Sequence, residues 1–405
     1  MRVERIGVIG AGTMGAGIAQ IACLGGFETE LYDPLSKALH AGIERVEADL
    51  VKGTERARWS EADADAARDR LSPAADLSEL AGCDLVVEAA PEDLKLKREL
   101  FAALAANLGP EAILATNTSS LPVTAIAAGL PHPERIVGMH FFNPPALMRL
   151  VEVVATAQSA EDALDATADA GERMGRTPIR AKDSPGFIAN RLARPFTLES
   201  LRMLAGEVAD AATIDRVCRL GGGFRMGPFE LIDLIGLDVN LSVARSFFAQ
   251  GGKPERWRPS PIQAALVGEG RLGRKSGQGF YEYGQGSPRE ADPELGLEAP
   301  TLDPAALRLI DPSGPSVLPR LLAQIANEAA FALEEEVGAA ADMDTAMRLG
   351  FNWPLGALEF SDLIGADTAL SLLEKLERSY GETYVPAPLL RAAAEQGVSL
   401  RSATR

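Results

Sequence analysis

The sequence predicts a doubly wound α/β domain followed by two all-helical domains that are related by internal duplication. Short apolar runs alternate with helical patterns through the first part of the chain, which is typical of a largely parallel sheet. Beyond it strand patterns vanish, and the sequence repeats itself at a spacing of 129 positions. We therefore expect an α/β domain at 1–186, a helical domain at 187–285, a linker at 286–315 and a second, degenerate helical domain at 316–405.

Six strands of the α/β domain can be placed from short apolar runs. They are 6–9, 29–32, 85–88, 113–116, 135–142 and 150–154. The acidic, Ala-rich stretch 37–70 has a helical pattern instead, and it is longer than one crossover helix needs. We expect this stretch to form a helical hairpin that projects from the sheet.

Charged residues and glycines carry the repeat, and they match without gaps. Asp233-Leu-Ile-Gly236 recurs as Asp362-Leu-Ile-Gly365, while Glu199 and Asp215 recur as Glu328 and Asp344. Residues of these types seldom coincide by chance over such a distance. The repeat therefore indicates one helical domain present twice.

A glycine-rich turn follows the first predicted strand. Its residues are Gly10, Ala11, Gly12, Thr13, Met14 and Gly15. Gly10 permits a tight turn, Gly12 lets the backbone approach a pyrophosphate, and Gly15 lets the next helix pack closely against the strand. Thr13 and Met14 begin that helix, whose free N–H groups favour a phosphate. The pattern is the fingerprint of a Rossmann-type dinucleotide-binding fold.

Asp33 ends the second predicted strand, where the fingerprint has an acidic residue. A carboxylate there accepts a hydrogen bond from a ribose 2′-hydroxyl and repels a 2′-phosphate. Asp33 therefore predicts NAD as the cofactor, in preference to NADP.

The bulk composition narrows the function classes. A formal charge of −17 argues against nucleic-acid binding, and no apolar run approaches the roughly 20 residues that span a bilayer. Because the first predicted strand begins within a few residues of the start, we expect no signal peptide. Cys23, Cys83 and Cys218 lack metal-ligand spacing and are typical of buried thiols. We expect a cytoplasmic protein without a metal site.

Among the three histidines, only His140 has a position that favours chemistry. It lies at the carboxyl end of a strand, where open α/β sheets bind ligands, whereas His40 and His132 fit surface positions. Glu152 lies inside an otherwise apolar strand that follows closely. If the two strands are neighbours, Glu152 can orient the imidazole as a general base. The alternative is a solvated Glu on the outer face of an edge strand.

Two polar segments are further site candidates. Asn117-Thr-Ser-Ser120 follows the strand 113–116, where its amides and hydroxyls can bond a substrate oxygen or the nicotinamide ribose, although such segments are also common as turns. Asn190 opens the first long helix after the domain junction. It can bond a reacting carbonyl at an interdomain cleft, or it can serve only as a helix cap.

Together these segments resemble the L-3-hydroxyacyl-CoA dehydrogenases, including 3-hydroxybutyryl-CoA dehydrogenases, over roughly residues 3–285. The resemblance rests on an ordered set of motifs. They are Val8-Ile-Gly-Ala-Gly-Thr-Met-Gly15, Val86-Val-Glu-Ala89, Asn117-Thr-Ser-Ser120, His140-Phe-Phe-Asn-Pro144, Leu150-Val-Glu-Val153, Asp183-Ser-Pro-Gly-Phe-Ile188 with Asn190-Arg191, Met226-Gly-Pro-Phe-Glu-Leu231 and Gly273-Arg-Lys-Ser-Gly277.

The resemblance implies NAD-dependent oxidation of an L-3-hydroxyacyl-CoA thioester of short or medium chain length, such as 3-hydroxybutyryl-CoA, to the 3-oxoacyl-CoA. His140 would take the hydroxyl proton while Glu152 orients the imidazole. The remaining residues that match family positions fall into three groups. Ser119, Asn143 and Asn190 match substrate and active-site contacts, Glu92, Lys97 and Asn117 lie near the nicotinamide ribose, and Lys52 could meet the CoA phosphates.

The second helical copy departs from the shorter relatives. At the 129-residue offset Asn190 falls on Pro319, whereas Arg191 keeps its match in Arg320. We expect a structural role for this copy, either in a homodimer or as an intramolecular pseudo-dimer that fills the place of a partner.

Several alternatives remain at this point. Lysine-based hydroxyisobutyrate- or 6-phosphogluconate-type dehydrogenases share the general architecture, and a non-catalytic NAD-binding structural protein would share the fingerprint. Within the family, 3-hydroxyadipyl-CoA is a further substrate candidate, and Arg149 is one cation that could meet its terminal carboxylate.

Overall fold

The computed structural model describes residues 2–284, 297, 299–311 and 316–403. These residues divide into two compact units, Met1–Phe187 and Ile188–Arg405. The first unit contains the sheet, and the second unit contains both helical copies. None of the helices in the described ranges is both long and apolar enough to cross a membrane.

An eight-stranded sheet forms the centre of the first unit, in the order β3-β2-β1-β4-β5-β6-β7-β8. Its strands are β1 (Arg5–Ile9), β2 (Glu28–Tyr32), β3 (Leu71–Ala74), β4 (Leu85–Glu88), β5 (Ile113–Thr116), β6 (Ile136–Phe141), β7 (Leu150–Ala155) and β8 (Thr177–Lys182). All neighbouring strands are parallel except β6 and β7, which are antiparallel. The doubly wound α/β prediction is confirmed, with one antiparallel pair added.

The sequence did not predict β3 and β8, and both are the edge strands of the sheet. An edge strand is covered less completely, so its sequence is not a continuous apolar run. Pro73 and Pro178 interrupt the two strands, as edge strands tolerate. The six interior strands agree with their predicted positions to within two residues.

Six helices accompany the sheet in the first unit. They are α1 (Thr13–Leu24), α2 (Ser36–Glu55), α3 (Glu61–Asp69), α4 (Leu94–Asn107), α5 (Val123–Ala127) and α6 (Glu161–Arg173). Helices α2 and α3 form the predicted hairpin. Ser60 caps α3 through a reciprocal bond with Asp63, and Trp59 Nε1 donates to the carbonyl of Leu50 at 2.9 Å.

Eleven helices are described in the second unit. They are α7 (Ala189–Ala205), α8 (Ala211–Leu220), α9 (Pro228–Ile235), α10 (Leu237–Gln250), α11 (Pro261–Gly268), α12 (Pro304–Ile310), α13 (Val317–Glu334), α14 (Ala340–Gly350), α15 (Ala357–Ile364), α16 (Ala366–Tyr380) and α17 (Pro388–Gln396). Helix α12 falls within the predicted linker 286–315, most of whose other residues lie outside the described ranges.

The two copies repeat local structure as well as sequence. Asp215 accepts backbone N–H bonds from the first turn of α9, and Asp344 does the same for α15. Glu207 and Glu336 both have φ near +54°, at +53° and +55°. The internal duplication predicted from the 129-residue spacing is therefore confirmed by equivalent structure.

Reciprocal ion pairs join the long helices α7 and α13. Arg191 Nε donates to Glu328 Oε1 at 2.7 Å, and Arg320 Nε donates to Glu199. Since Arg320 is the repeat of Arg191 and Glu328 is the repeat of Glu199, each copy supplies the same arginine and the same glutamate. This reciprocity is the pattern of an isologous interface, here within one chain.

Candidate active site

The glycine turn joins β1 to α1 with little space to spare. Gly10 has φ +93°, and a Cβ atom there would lie 2.7 Å from the carbonyl oxygen of Ala89. A Cβ atom at Gly15 would lie 1.7 Å from the carbonyl oxygen of Gly10. A Cβ atom at Gly12 would meet nothing within 4 Å. Gly10 and Gly15 are thus needed for the turn itself, and the side of Gly12 is open to a ligand.

The N-terminus of α1 and the end of β2 meet beside this turn. Asp33 accepts from the backbone N–H groups of Ala11 and Leu35, at 2.9 Å each. Thr13 is exposed and Met14 is half-buried in the first turn of α1, which no side chain caps. An open glycine, an uncapped helix N-terminus and a fixed carboxylate fit the pyrophosphate and ribose of NAD.

A buried ion pair lies at the ends of β4 and β5. Lys97 Nζ is 2.6 Å from Glu88 Oε1 and 3.4 Å from Glu92 Oε2, and Lys97 is only 1% exposed. Glu92 in turn accepts from Thr118 Oγ1 and from the backbone N–H of Ser119. Burial alone would raise the pKa of Glu92, but the bond from Thr118 and the charge of Lys97 hold that pKa below its usual value.

These contacts give Lys97 and Glu92 a clear structural task. Lys97 forms ion pairs with two carboxylates, those of Glu88 and Glu92. Glu92 accepts a hydrogen bond from the backbone of Ser119 and so holds that turn in place. Their contact with the nicotinamide ribose stays a prediction. Glu88, which pairs with Lys97, was not among the predicted site residues. A glutamate at the end of the apolar strand 85–88 is nevertheless a sequence signal for a buried pair.

Polar residues of the β5 and β6 ends lie next to one another. Asn117 Oδ1 accepts from the backbone N–H of Phe141 at 2.8 Å, which ties the two strand ends together. Ser119 and Asn143 are exposed in the turns that follow β5 and β6. These residues lie at the carboxyl edge of the sheet, as their sequence positions predicted.

His140 and Glu152 face each other across the antiparallel pair β6 and β7. The strand register pairs the two residues directly, and His140 Nδ1 is 2.7 Å from Glu152 Oε2. Glu152 is completely buried because β7 lies between β6 and β8 in the sheet. The alternative of a solvated edge-strand Glu152 is therefore wrong.

Aromatic rings surround the imidazole. Phe142 and Phe187 lie with ring centroids 4.7 Å and 5.7 Å from that of His140. The bond to Glu152 uses Nδ1, so Nε2 is the ring nitrogen that remains to accept a proton. A histidine whose tautomer and orientation are fixed by a buried carboxylate can act as a general base.

The other predicted residues lie elsewhere. Asn190 belongs to the second unit, where it is half-buried in the first turn of α7. Lys52 is exposed on α2 and pairs with Asp49 at 2.9 Å. Arg149 is exposed just before β7. Their proposed contacts with substrate remain predictions.

A dinucleotide-binding sheet with a buried histidine–carboxylate pair near the carboxyl end of β6 is typical of the class of NAD-dependent dehydrogenases. The NAD-binding domain model of 3-hydroxyacyl-CoA dehydrogenase matches residues 5–184. The C-terminal domain model of the same family matches twice, at 186–283 and 317–404. The chain therefore belongs to the 3-hydroxyacyl-CoA dehydrogenase family and is an NAD-dependent oxidoreductase. Its enzymatic class excludes the lysine-based and non-catalytic alternatives.

The chain is similar to relatives that match nearly its whole length and to shorter relatives that match about 70% of it. The 3-hydroxyadipyl-CoA dehydrogenase of Escherichia coli is 37% identical over 97% of this chain and 98% of its own length. A probable 3-hydroxybutyryl-CoA dehydrogenase of Deinococcus radiodurans is 40% identical over 69% of this chain and its whole length. The crystal structure of an E. coli 3-hydroxybutyryl-CoA dehydrogenase superposes with a TM-score of 0.90 at 36% identity, covering 98% of this chain and 99% of that one.

Proposed function

We propose that this enzyme oxidises L-3-hydroxyacyl-CoA thioesters of short or medium chain length to 3-oxoacyl-CoA, with His140 as the general base. The observation that carries the proposal is the buried 2.7 Å bond between His140 Nδ1 and Glu152 Oε2. A base with an oriented imidazole is what removal of a hydroxyl proton requires. The names of several relatives give the substrate class.

Each active-site residue has a separate role in the proposed reaction. His140 Nε2 takes the proton of the C3 hydroxyl, and Glu152 accepts from Nδ1–H and stabilises the imidazolium that forms. NAD, when bound, supplies the acceptor for the hydride that leaves C3. Ser119, Asn143 and Asn190 hydrogen-bond the substrate and hold C3 in place. Loss of the hydroxyl proton and of the hydride from C3 converts the alcohol into a ketone.

Two further groups of residues hold the cofactor and the CoA moiety. Gly12 and the first turn of α1, with Thr13 and Met14, hold the pyrophosphate, and Asp33 accepts from the ribose 2′-hydroxyl. Glu92 and Lys97 lie near the nicotinamide ribose, and Glu92 holds in place the turn that carries Ser119. Lys52 on the exposed face of the hairpin meets the CoA phosphates.

A second candidate substrate is 3-hydroxyadipyl-CoA. It is favoured by the E. coli relative of that name, which matches nearly the whole chain, duplicated helical domain included. The two candidates share the reaction and differ only at the end of the acyl chain. A carboxylate there requires a cation that a saturated methyl end does not.

The helical duplication supports a proposal about assembly. The reciprocal pairs Arg191–Glu328 and Arg320–Glu199 let one chain form the contact that two identical subunits would form. We therefore expect a monomer whose second helical copy takes the place of a partner subunit, with a homodimer as the other possible state. The three free, buried cysteines fit a reducing compartment such as the cytoplasm.

Formation of NADH from 3-hydroxybutyryl-CoA tests the function. His140→Gln should lower kcat by about 10²- to 10⁴-fold with little change in the Kd for NAD, because it removes only the base. His132→Gln is the matched control, since His132 is exposed and pairs with Glu134 at the surface. A His140→Gln enzyme with the kcat of the wild type would refute the proposal.

A further inference from the structure

Arg194, in the second turn of α7, is a buried cation that pairs with no carboxylate among the described residues. The residue is 7% exposed, and Nη1 has no hydrogen-bond partner within the described part of the chain. Its polar contact is a long bond of 3.4 Å from Nε to the carbonyl oxygen of Asn190. The guanidinium also lies 5.2 Å from the ring centroid of Phe247.

A buried charge of this kind is costly unless another group compensates it. Burial lowers the pKa of Arg194 to about 10. In the two other buried arginines of α7 and α13, an ion pair offsets the cost of burial. Arg191 and Arg320 each have buried glutamates as partners.

The duplication supplies an internal comparison. At the 129-residue offset Arg194 corresponds to Ala323, which is fully buried in α13. The second copy keeps the structural arginine at Arg320 but lacks both Asn190 and Arg194. The long helix of this domain therefore packs without a cation at this position, as α13 shows. Arg194 is present only in the copy that has the proposed substrate contact.

Arg194 also lies on the same face of α7 as Asn190. Residues four apart on a helix lie one above the other, and long side chains lean towards the N-terminus. The 3.4 Å contact from Arg194 Nε to the Asn190 carbonyl oxygen shows this arrangement directly. The unpaired guanidinium is thus within one helical turn of a residue that we assign to the reacting end of the substrate.

We propose that Arg194 binds the terminal carboxylate of a 3-hydroxyacyl-CoA whose short acyl chain ends in an acid group. The enzyme then selects dicarboxylic acyl-CoA substrates, and Arg194 is the residue that determines this specificity. The inference rests on the proposed function, in which Asn190 contacts the substrate. A carboxylate at Nη1 would supply the counter-ion that the described residues do not.

The test compares 3-hydroxyadipyl-CoA with 3-hydroxyhexanoyl-CoA, which has the same chain length and no terminal charge. The wild type should have the higher kcat/KM for the dicarboxylic substrate. Arg194→Met should lower the ratio of the two kcat/KM values by about 100-fold, because a desolvated charge pair is lost. The loss should fall mainly on KM, and Arg194→Lys should restore part of it.

Thermal unfolding separates this role from a structural one. Arg194→Met, which keeps most of the side-chain volume, should leave Tm unchanged or raise it, since an unpaired buried charge is removed. A fall in Tm, or equal losses of kcat/KM for both substrates, would show a structural role or a contact with the CoA phosphates and would overturn the inference.

Failure of the inference can be told from failure of the proposed function. A wild type that oxidises 3-hydroxyhexanoyl-CoA as well as 3-hydroxyadipyl-CoA would refute only the role of Arg194. A wild type that oxidises neither these substrates nor 3-hydroxybutyryl-CoA would refute the proposed function, and the inference with it.

Discussion

Arg191 and Glu328 form a buried ion pair at 2.7 Å although 137 residues separate them in the chain. Arg256 and Trp257 donate to the other oxygen of Glu328, so that this carboxylate is fully paired. The repeat of the pair, Arg320 with Glu199, forms the same contact from the opposite copy. The two helical copies are therefore joined by charge pairing as well as by apolar packing.

Loss of one partner of the Arg191–Glu328 pair should strongly destabilise the helical unit. Arg191→Met leaves the buried Glu328 without its closest cation, and we expect the free energy of unfolding to fall by about 3–5 kcal/mol in urea titrations. Arg258→Met is the control, because Arg258 pairs with Glu255 at the surface and its loss should hardly move the midpoint. Equal effects of the two substitutions would contradict the importance of the pair between copies.

Removal of residues 300–405 tests the pseudo-dimer. The truncation removes α13, the helix that packs on α7 and holds Glu328 against Arg191. We expect aggregation or a new dimer in analytical ultracentrifugation, since an exposed apolar face of this size is unstable alone. An unaltered, monodisperse monomer after truncation would count against the proposal.

The glycine turn offers a matched pair of substitutions. Gly12→Ala places its methyl group in open space, so the protein should fold with an unchanged Tm but bind NAD at least about 10-fold more weakly, as judged by calorimetry. Gly15→Ala brings Cβ against the Gly10 carbonyl and should lower Tm as well. If Gly12→Ala bound NAD normally, the pyrophosphate would not approach this turn.

Asp215 gives the stability of the second unit a pH dependence. Burial raises its pKa to about 7, despite hydrogen bonds from Tyr281 and from the first turn of α9. The folded state then holds a proton that the unfolded chain, with a pKa near 4, has lost. The free energy of unfolding should therefore fall as pH rises from about 4 to about 7, by up to about 1 kcal/mol per pH unit.

Urea titrations of the wild type and Asp215→Asn between pH 5 and 8 measure this dependence. The variant has no carboxyl group to titrate at position 215, so its unfolding free energy should depend less steeply on pH, although its overall stability is lower because an acceptor is lost. Identical slopes for the two proteins would show that Asp215 is not responsible.

Sequence patterns predicted the interior of the sheet well and its edges poorly. Strands such as 85–88 are buried on both faces and read as continuous apolar runs, whereas β3 and β8 carry prolines and half-exposed residues. The glycine turn and Asp33 were recognisable because their chemistry depends on a local spacing. Local spacing is what a sequence displays directly.

The partner of Lys97 and the ion pairs between the helical copies were not predicted from the sequence. The fold pairs Lys97 with Glu88, and the position of Arg194 against Phe247 gave no pattern in the sequence. Each of these contacts joins residues from different elements. Their partners are set by how the elements pack, which a period of 2 or 3.6 residues does not record.

The sequence by itself determined the cofactor, the residue types of the proposed catalytic pair and the duplication, because spacing and identity suffice for each of them. Only the tertiary structure decided that His140 faces Glu152, since a register slip of one residue between β6 and β7 would turn the carboxylate to the other face of the sheet. It likewise decided which buried charges are compensated within the chain, because compensation depends on distances between segments far apart in sequence.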